Sequence, residues 1–172
     1  MDDKNSLREQ ARIHREQLQV DTEDFERIID VFLDNVSFSE DDVIAAYWPL
    51  DKEFDCRFLL DELYKRSLKL ALPCVSKGTK LLSFREWRPD RPMHVGAYGI
   101  CEPQGTDLLE PDLFLVPLLA FDRKGYRLGQ GGGYYDATIK AYRDKKEIQA
   151  IGIGYGMQAV VFNLPIEEHD QK

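Results

Sequence analysis

The residues best equipped for chemistry lie between Phe121 and Asp136, in the run Phe-Asp-Arg-Lys-Gly-Tyr-Arg-Leu-Gly-Gln-Gly-Gly-Gly-Tyr-Tyr-Asp. Gly129, Gly131, Gly132 and Gly133 let the backbone turn tightly and bring its N–H groups to a ligand with no Cβ in the way. The helix expected to follow points the positive end of its dipole at the same place. Arg127 adds a planar, permanently charged fork that matches phosphate. Such a loop can cradle a phosphate; a flexible strand-to-helix connection is the competing reading. It is not a Walker loop, which ends in G-K-[ST], nor a dinucleotide-binding G-x-G-x-x-G. Asp122 and Asp136 flank the loop. Mg²⁺ takes one or two carboxylates plus phosphate oxygens, so either can serve it. Asp136 can equally be a helix-start acid favoured by the dipole alone.

The elements that must position this loop follow from hydrophobic periodicity. Residues 2–19 read as a polar helix with a narrow stripe of Leu7, Ala11, His14 and Leu18. Residues 22–36 form a clearer helix, with Phe25, Ile28, Ile29, Phe32, Leu33 and Val36 on one face and Asp21 or Thr22 as its cap. Short apolar runs at 43–48, 68–75, 80–87, 112–119 and 148–155 read as strands. Residues 55–66, capped by Asp55, and 133–144 read as helices. Strands alternating with helices predict an α/β fold: a single-domain three-layer sandwich over residues 1–172, with a largely parallel or mixed sheet flanked by helices and an N-terminal helical segment.

The 172 residues suit one domain, and 43% apolar with 31% charged residues is an ordinary globular balance. A net charge of −8 argues against coating DNA or RNA, which takes a positive surface, and leaves room for a local basic site. No apolar run is long enough to span a membrane, and the charged N-terminus does not resemble a secretory signal. Cys56, Cys74 and Cys101 are odd in number and widely spaced, which suits reduced thiols in the cytoplasm rather than zinc. His14, His94 and His169 show no metal spacing and receive no role.

Strand-F-D-x-x-G-x-R-L-G-x-G-x-G-Y-Y-D resembles the signature of the 5-formyltetrahydrofolate cyclo-ligase family, and further blocks follow in the family's order. Lys4-x-x-x-Arg8 resembles its N-terminal K-x-x-x-R. Tyr47-Trp-Pro-Leu-Asp-Lys-Glu53-Phe-Asp resembles the block with its E-[IF]-D. Leu72-Pro73, Gly99-Ile-Cys-Glu102-Pro103, and the late Gln158, Leu164-Pro165 and Glu168-His-Asp170 complete the likeness. Two departures stand out. Gln130 sits where the family more often has Arg or an aromatic. The family pattern also runs on past Asp170 into a short acidic, strand-forming segment, where this sequence has two residues.

The resemblance implies conversion of 5-formyltetrahydrofolate to 5,10-methenyltetrahydrofolate, using ATP as co-substrate and Mg²⁺ and releasing ADP and phosphate. It implies ATP contacts at Lys4, Arg8, Arg127, Leu128, Gly129, Gln130, Gly131, Gly132, Gly133, Tyr134 and Tyr135. Arg127 and Tyr134 would be catalytic, and Asp136 and Asp170 would hold the metal. Folate contacts would come from Trp48, Glu53, Tyr98 and the stretch Gln130 to Tyr134. Glu53 is the acid suited to the amino group and ring N–H of the pterin edge. Arg85, Arg88 and Arg91 can meet a glutamate tail or form a solvated loop. The enzyme is expected to be a cytoplasmic monomer without nucleic-acid or membrane partners. Two alternatives remain open: a non-catalytic folate- or nucleotide-binding module, and a small ATP-dependent ligase acting on a non-folate substrate.

Overall fold

The computed structural model describes residues 3–105 and 107–172; Asp2, where the sequence starts the first helix, lies outside the described residues. In chain order the elements are α1 (Lys4–Gln17), α2 (Glu23–Asn35), β1 (Val43–Ala45), α3 (Arg57–Lys65), β2 (Lys69–Val75), β3 (Leu82–Glu86), β4 (Met93–Val95), β5 (Cys101–Pro103), β6 (Leu108–Leu109), β7 (Leu113–Pro117), β8 (Ala120–Phe121), β9 (Arg127–Leu128), α4 (Tyr134–Arg143) and β10 (Gln149–Ile153). The main sheet runs β10-β7-β1-β2-β3-β6. Its first four strands are parallel, and β3 and β6 join antiparallel. The sheet is therefore mixed, as the alternating pattern predicts.

Side-chain alternation along the strands divides the core into two layers. Ile44, Leu70, Leu72, Leu113 and Leu115 face α2 and α3, where they meet Phe32, Leu59, Leu60 and Leu63. Ala45, Ala71, Phe84, Phe114 and Val116 face the other way, onto Ile139 of α4. Each large apolar side chain so buried stabilises the fold by about 1.5–3 kcal/mol. The helix α1 stands apart from this sandwich. Asp3 caps it, accepting from the Asn5 and Ser6 amides at 2.9 and 2.8 Å. Its stripe of Leu7 and Ala11 packs on Ala120, Leu128 and Leu164. This is what lays a charged helix along the β8–β9 hairpin.

Several elements differ from the sequence expectation. The strand read as 43–48 ends at Ala45, because Tyr47 anchors a loop rather than continuing the sheet. Asp21 and not Thr22 offers its side chain to α2, at 3.3 Å from the Glu23 amide. The segment after Trp87, read only as a loop, folds into the β4–β5 hairpin and β6. Among the described residues, no helix is long and apolar enough to cross a membrane. All three cysteines are free. Burial pushes the Cys56 thiol up to about 12 and the Cys74 thiol to about 11, which removes both as nucleophiles near neutral pH.

Candidate active site

The loop after β1 is locked by its own hydrogen bonds. The Tyr47 hydroxyl donates to the Phe54 carbonyl at 2.9 Å, closing the loop from its two ends. Inside it the Glu53 amide donates to the Leu50 carbonyl at 2.9 Å. In return the Leu50 amide donates to Glu53 Oε2 at 3.0 Å. Asp51 takes a left-handed φ of 47° to make the turn. Glu53 is thus held beyond the carboxyl end of a parallel strand, the usual ligand side of such sheets.

The glycine-rich loop begins in the β8–β9 hairpin. Asp122 is 4% exposed, and its oxygens accept from the Lys124, Tyr126 and Leu164 amides at 2.9, 3.1 and 3.0 Å. That corrects the reading of Asp122 as a metal ligand: its carboxylate pins the hairpin to the 158–164 segment. Beyond β9, Gly131 and Gly133 adopt φ of 102° and 72°, and Gly133 is the residue from which α4 starts. L-residues resist both conformations. A Cβ on Gly132 would sit 2.9 Å from the Tyr134 ring.

Successive turns of α1 grip this loop. Lys4 bonds to Asp170 and lies 3.3 Å from Glu167. Arg8 Nε donates to the Gly129 carbonyl at 3.1 Å, and Arg12 Nη2 to the Gln130 carbonyl at 3.2 Å. Arg127 donates to Asp136 at 2.9 Å, and the Gln171 amide reaches the same carboxylate at 3.1 Å. Arg127 also lies 6.0 Å over the Tyr135 ring. Across the gap, the Gln130 side-chain amide donates to Glu53 Oε1 at 3.3 Å.

A third wall comes from the β4–β5 hairpin. At its tip Tyr98 has φ 58°, is 74% exposed, and meets the Tyr134 hydroxyl at 2.9 Å. The rings are 6.1 Å apart, edge to face. Glu102 at the hairpin's base is 6% exposed and accepts from the Val75 amide of β2 at 2.9 Å. Gly96 packs so closely on that carboxylate that a Cβ would fall 2.4 Å from it.

These walls enclose a cleft of about 430 Å³, within the range of small-molecule sites. Every residue from Arg127 to Asp136 lines it, together with Lys4, Arg8, Trp48, Glu53, Tyr98 and Asp170. All the candidate positions therefore meet at one place. Trp48 packs beneath the Arg57 guanidinium, 5.5 Å away. His169, given no role from the sequence, also lines the cleft; its only signal was its place beside Asp170. Arg85, Arg88 and Arg91 do not line it, and Arg88 pairs with Glu86 at 2.8 Å.

Burial pushes the Glu53 carboxyl upward, against the Leu50 amide, the Gln130 amide and the charge of Arg15, which favour its ionised form. Burial also works to raise Asp170, but the Glu167 amide and Lys4 outweigh it and hold its carboxyl below the usual value. Asp136 and Asp170 are hard oxygen donors on one cleft and suit a small divalent cation. Glu167, His169 and Asp170 also place ligand atoms within 4.8 Å of one another, although Lys4 already occupies two of the three.

A mixed α/β sheet with a cation-lined, glycine-looped cleft beyond its parallel strands defines an anion-handling small-molecule protein. The 5-formyltetrahydrofolate cyclo-ligase family matches residues 1–172. A 5-formyltetrahydrofolate cyclo-ligase of Haemophilus influenzae is 38% identical over 133 residues, covering 74% of this chain and 70% of its own. One from Escherichia coli is 32% identical over 135 residues, with 74% and 72% covered. The NMR structure of Aquifex aeolicus 5,10-methenyltetrahydrofolate synthetase superposes with a TM-score of 0.76 at 29% identity, covering 98% of this chain and 85% of that one. The Mycoplasma pneumoniae enzyme gives 0.70 at 25% identity, covering 99% and 95%. The chain belongs to the 5-formyltetrahydrofolate cyclo-ligase family and is an enzyme of that kind, with the folate reading favoured over the two alternatives.

Proposed function

We propose that this enzyme closes the ring of 5-formyltetrahydrofolate in an ATP-dependent reaction, with the nucleotide on the glycine-rich loop and the pterin at Glu53. The observation that carries this reading is the meeting of the two halves in one cleft, where Gln130 of the loop touches Glu53. A formamide oxygen is a poor leaving group. Transfer of the γ-phosphoryl to it forms a P–O bond, breaks the bridging P–O bond and releases ADP. The N-10 amine then attacks the activated carbon; a C–N bond forms, the C–O bond breaks, phosphate departs and N-10 loses its proton. The protein's work is positioning and charge stabilisation.

Arg127 faces the transferring phosphoryl, with Lys4 and Arg8 on the rest of the polyphosphate and the backbone from Leu128 to Gly133 cradling it. Tyr134 and Tyr135 border the reacting end. Tyr134, joined to Tyr98, orients the formyl group, and Trp48 and Tyr98 flank the folate rings. Asp136 and Asp170 would hold Mg²⁺, which neutralises phosphate charge when bound. Lys4 and Arg127 are paired with these two carboxylates, so ligand binding exchanges partners: phosphate oxygens take the cations. Every cleft residue comes from one chain, which supports a monomer acting as a single unit over residues 1–172. Three free thiols support a cytoplasmic setting. The test is the absorbance of methenyltetrahydrofolate as it forms. Product is expected only with folate, ATP and Mg²⁺ together; formation without ATP would overturn the reading.

A further inference from the structure

The cations of α1 are laid along the cleft one turn at a time. Lys4 reaches Asp170, Arg8 the Gly129 carbonyl and Arg12 the Gln130 carbonyl, and Gln130 in turn touches Glu53. Arg15 is the next basic residue on this track. Positions 4, 8 and 15 share one helical face. Yet Arg15 differs from the others. It is 8% exposed, the one buried residue among those described in α1. Neither its Nε nor its Nη1 has a hydrogen-bond partner. A guanidinium cannot shed its proton, and an uncompensated charge is costly to bury. Arg15 does not line the cleft; it lies behind the wall, and its charge acts on Glu53 and on Tyr155.

We propose that Arg15 is a positioning residue for the substrate end of the cleft, supplying from behind the wall the countercharge that keeps the Glu53 carboxylate in the form that accepts the substrate's N–H groups. This deepens the folate role proposed for Glu53 and takes its meaning from it. The other groups acting on Glu53 cannot replace Arg15. Tyr47 and Tyr135 are pushed upward by burial, and Cys56 to about 12, so all three are neutral near pH 7. Asp51, on the same loop as Glu53, opposes ionisation. Gln130 and the Leu50 amide bring hydrogen bonds but no formal charge.

The test is a ¹³C-carboxyl NMR titration of Glu53 in the ligand-free protein, its signal assigned by its loss in Glu53→Gln. In Arg15→Met, which keeps the length and removes the charge, the midpoint moves to higher pH. Arg15→Lys, which restores a charge, brings it back toward wild type, and Arg15→Gln serves as a second neutral replacement should the Met variant not fold. In parallel, 5-formyltetrahydrofolate binding weakens about tenfold per pH unit below the Glu53 midpoint. That onset moves up in the neutral variants, while ATP affinity measured without folate holds. An unmoved Glu53 midpoint in a folded neutral variant overturns the proposal. Failure of the wild type to bind 5-formyltetrahydrofolate at any pH would instead overturn the folate assignment, which the NMR midpoints do not require.

Discussion

Glu53→Gln separates a folate enzyme from a generic ATP user. The substitution keeps an acceptor for the Leu50 amide but turns an N–H₂ toward the substrate's own donors. Loss of a charged hydrogen bond costs about 1.5–3 kcal/mol, or roughly a 10- to 150-fold weaker folate interaction. Calorimetric titration should show that loss with ATP affinity held. The same residue predicts a pH effect. Because burial raises the folded carboxyl above its unfolded value, ionised Glu53 is a cost to stability above the folded value. That cost vanishes as pH falls below the unfolded value, about 4.3. Glu53→Gln should therefore melt higher than wild type at pH 7, with the difference gone near pH 4. Asp136→Asn keeps shape and removes charge beside Arg127. Turnover should fall by two or more orders of magnitude, on the order of the loss of a key electrostatic group, with the circular dichroism melt intact. Gly132→Val places branched carbons where the Tyr134 ring stands at 2.9 Å from a Cβ. Weaker ATP binding is the expected result, measured on the folded variant.

At the scale of elements, the pieces with clean periods were legible and the pieces set by distant contacts were not. The 3.6-residue face of Phe25, Ile28, Ile29 and Phe32 announced α2, and the apolar runs announced β2 and β7. The glycine-rich stretch announced the loop, because its glycines have backbone reasons that do not depend on the rest of the fold. Asp122 misled, since a carboxylate consumed by three amides looks the same in sequence as one free to hold a metal. The β4–β5 hairpin was invisible for a related reason. What seats it is Glu102, 27 residues away in sequence from the Val75 amide that it accepts. Glu102→Ala should therefore loosen the flap that carries Tyr98. The expected outcome is a higher KM for folate with the KM for ATP little changed, checked by steady-state kinetics with each substrate varied in turn.

At the scale of the whole molecule, acid stability rests on scattered carboxylates outside the cleft as well as in it. Asp112 is held below the usual range: burial opposes, but the Lys146 bond at 2.7 Å and the Val43 amide at 2.9 Å prevail. Asp55 is lowered in the same sense by Arg57. Stability from such groups is fully present above the unfolded value, about 3.9, and is lost as pH falls through the lower folded value. Urea midpoints should hold down to about pH 4 and decline below it, less steeply in Asp112→Asn. The chain carries a net charge of −8, yet the ligands proposed for it are themselves anions. The pairs Lys4–Asp170 and Arg127–Asp136 bear on this contrast. They make the resting cleft a small ion exchanger, preloaded with counter-ions tethered to the chain. A polyphosphate entering it displaces carboxylates and not dissolved salt, so little mobile charge is released. Adding salt loosens the resident pairs and the incoming ones alike. Nucleotide affinity should therefore fall only gently with ionic strength, where an open cluster of three cations would lose its ligand steeply.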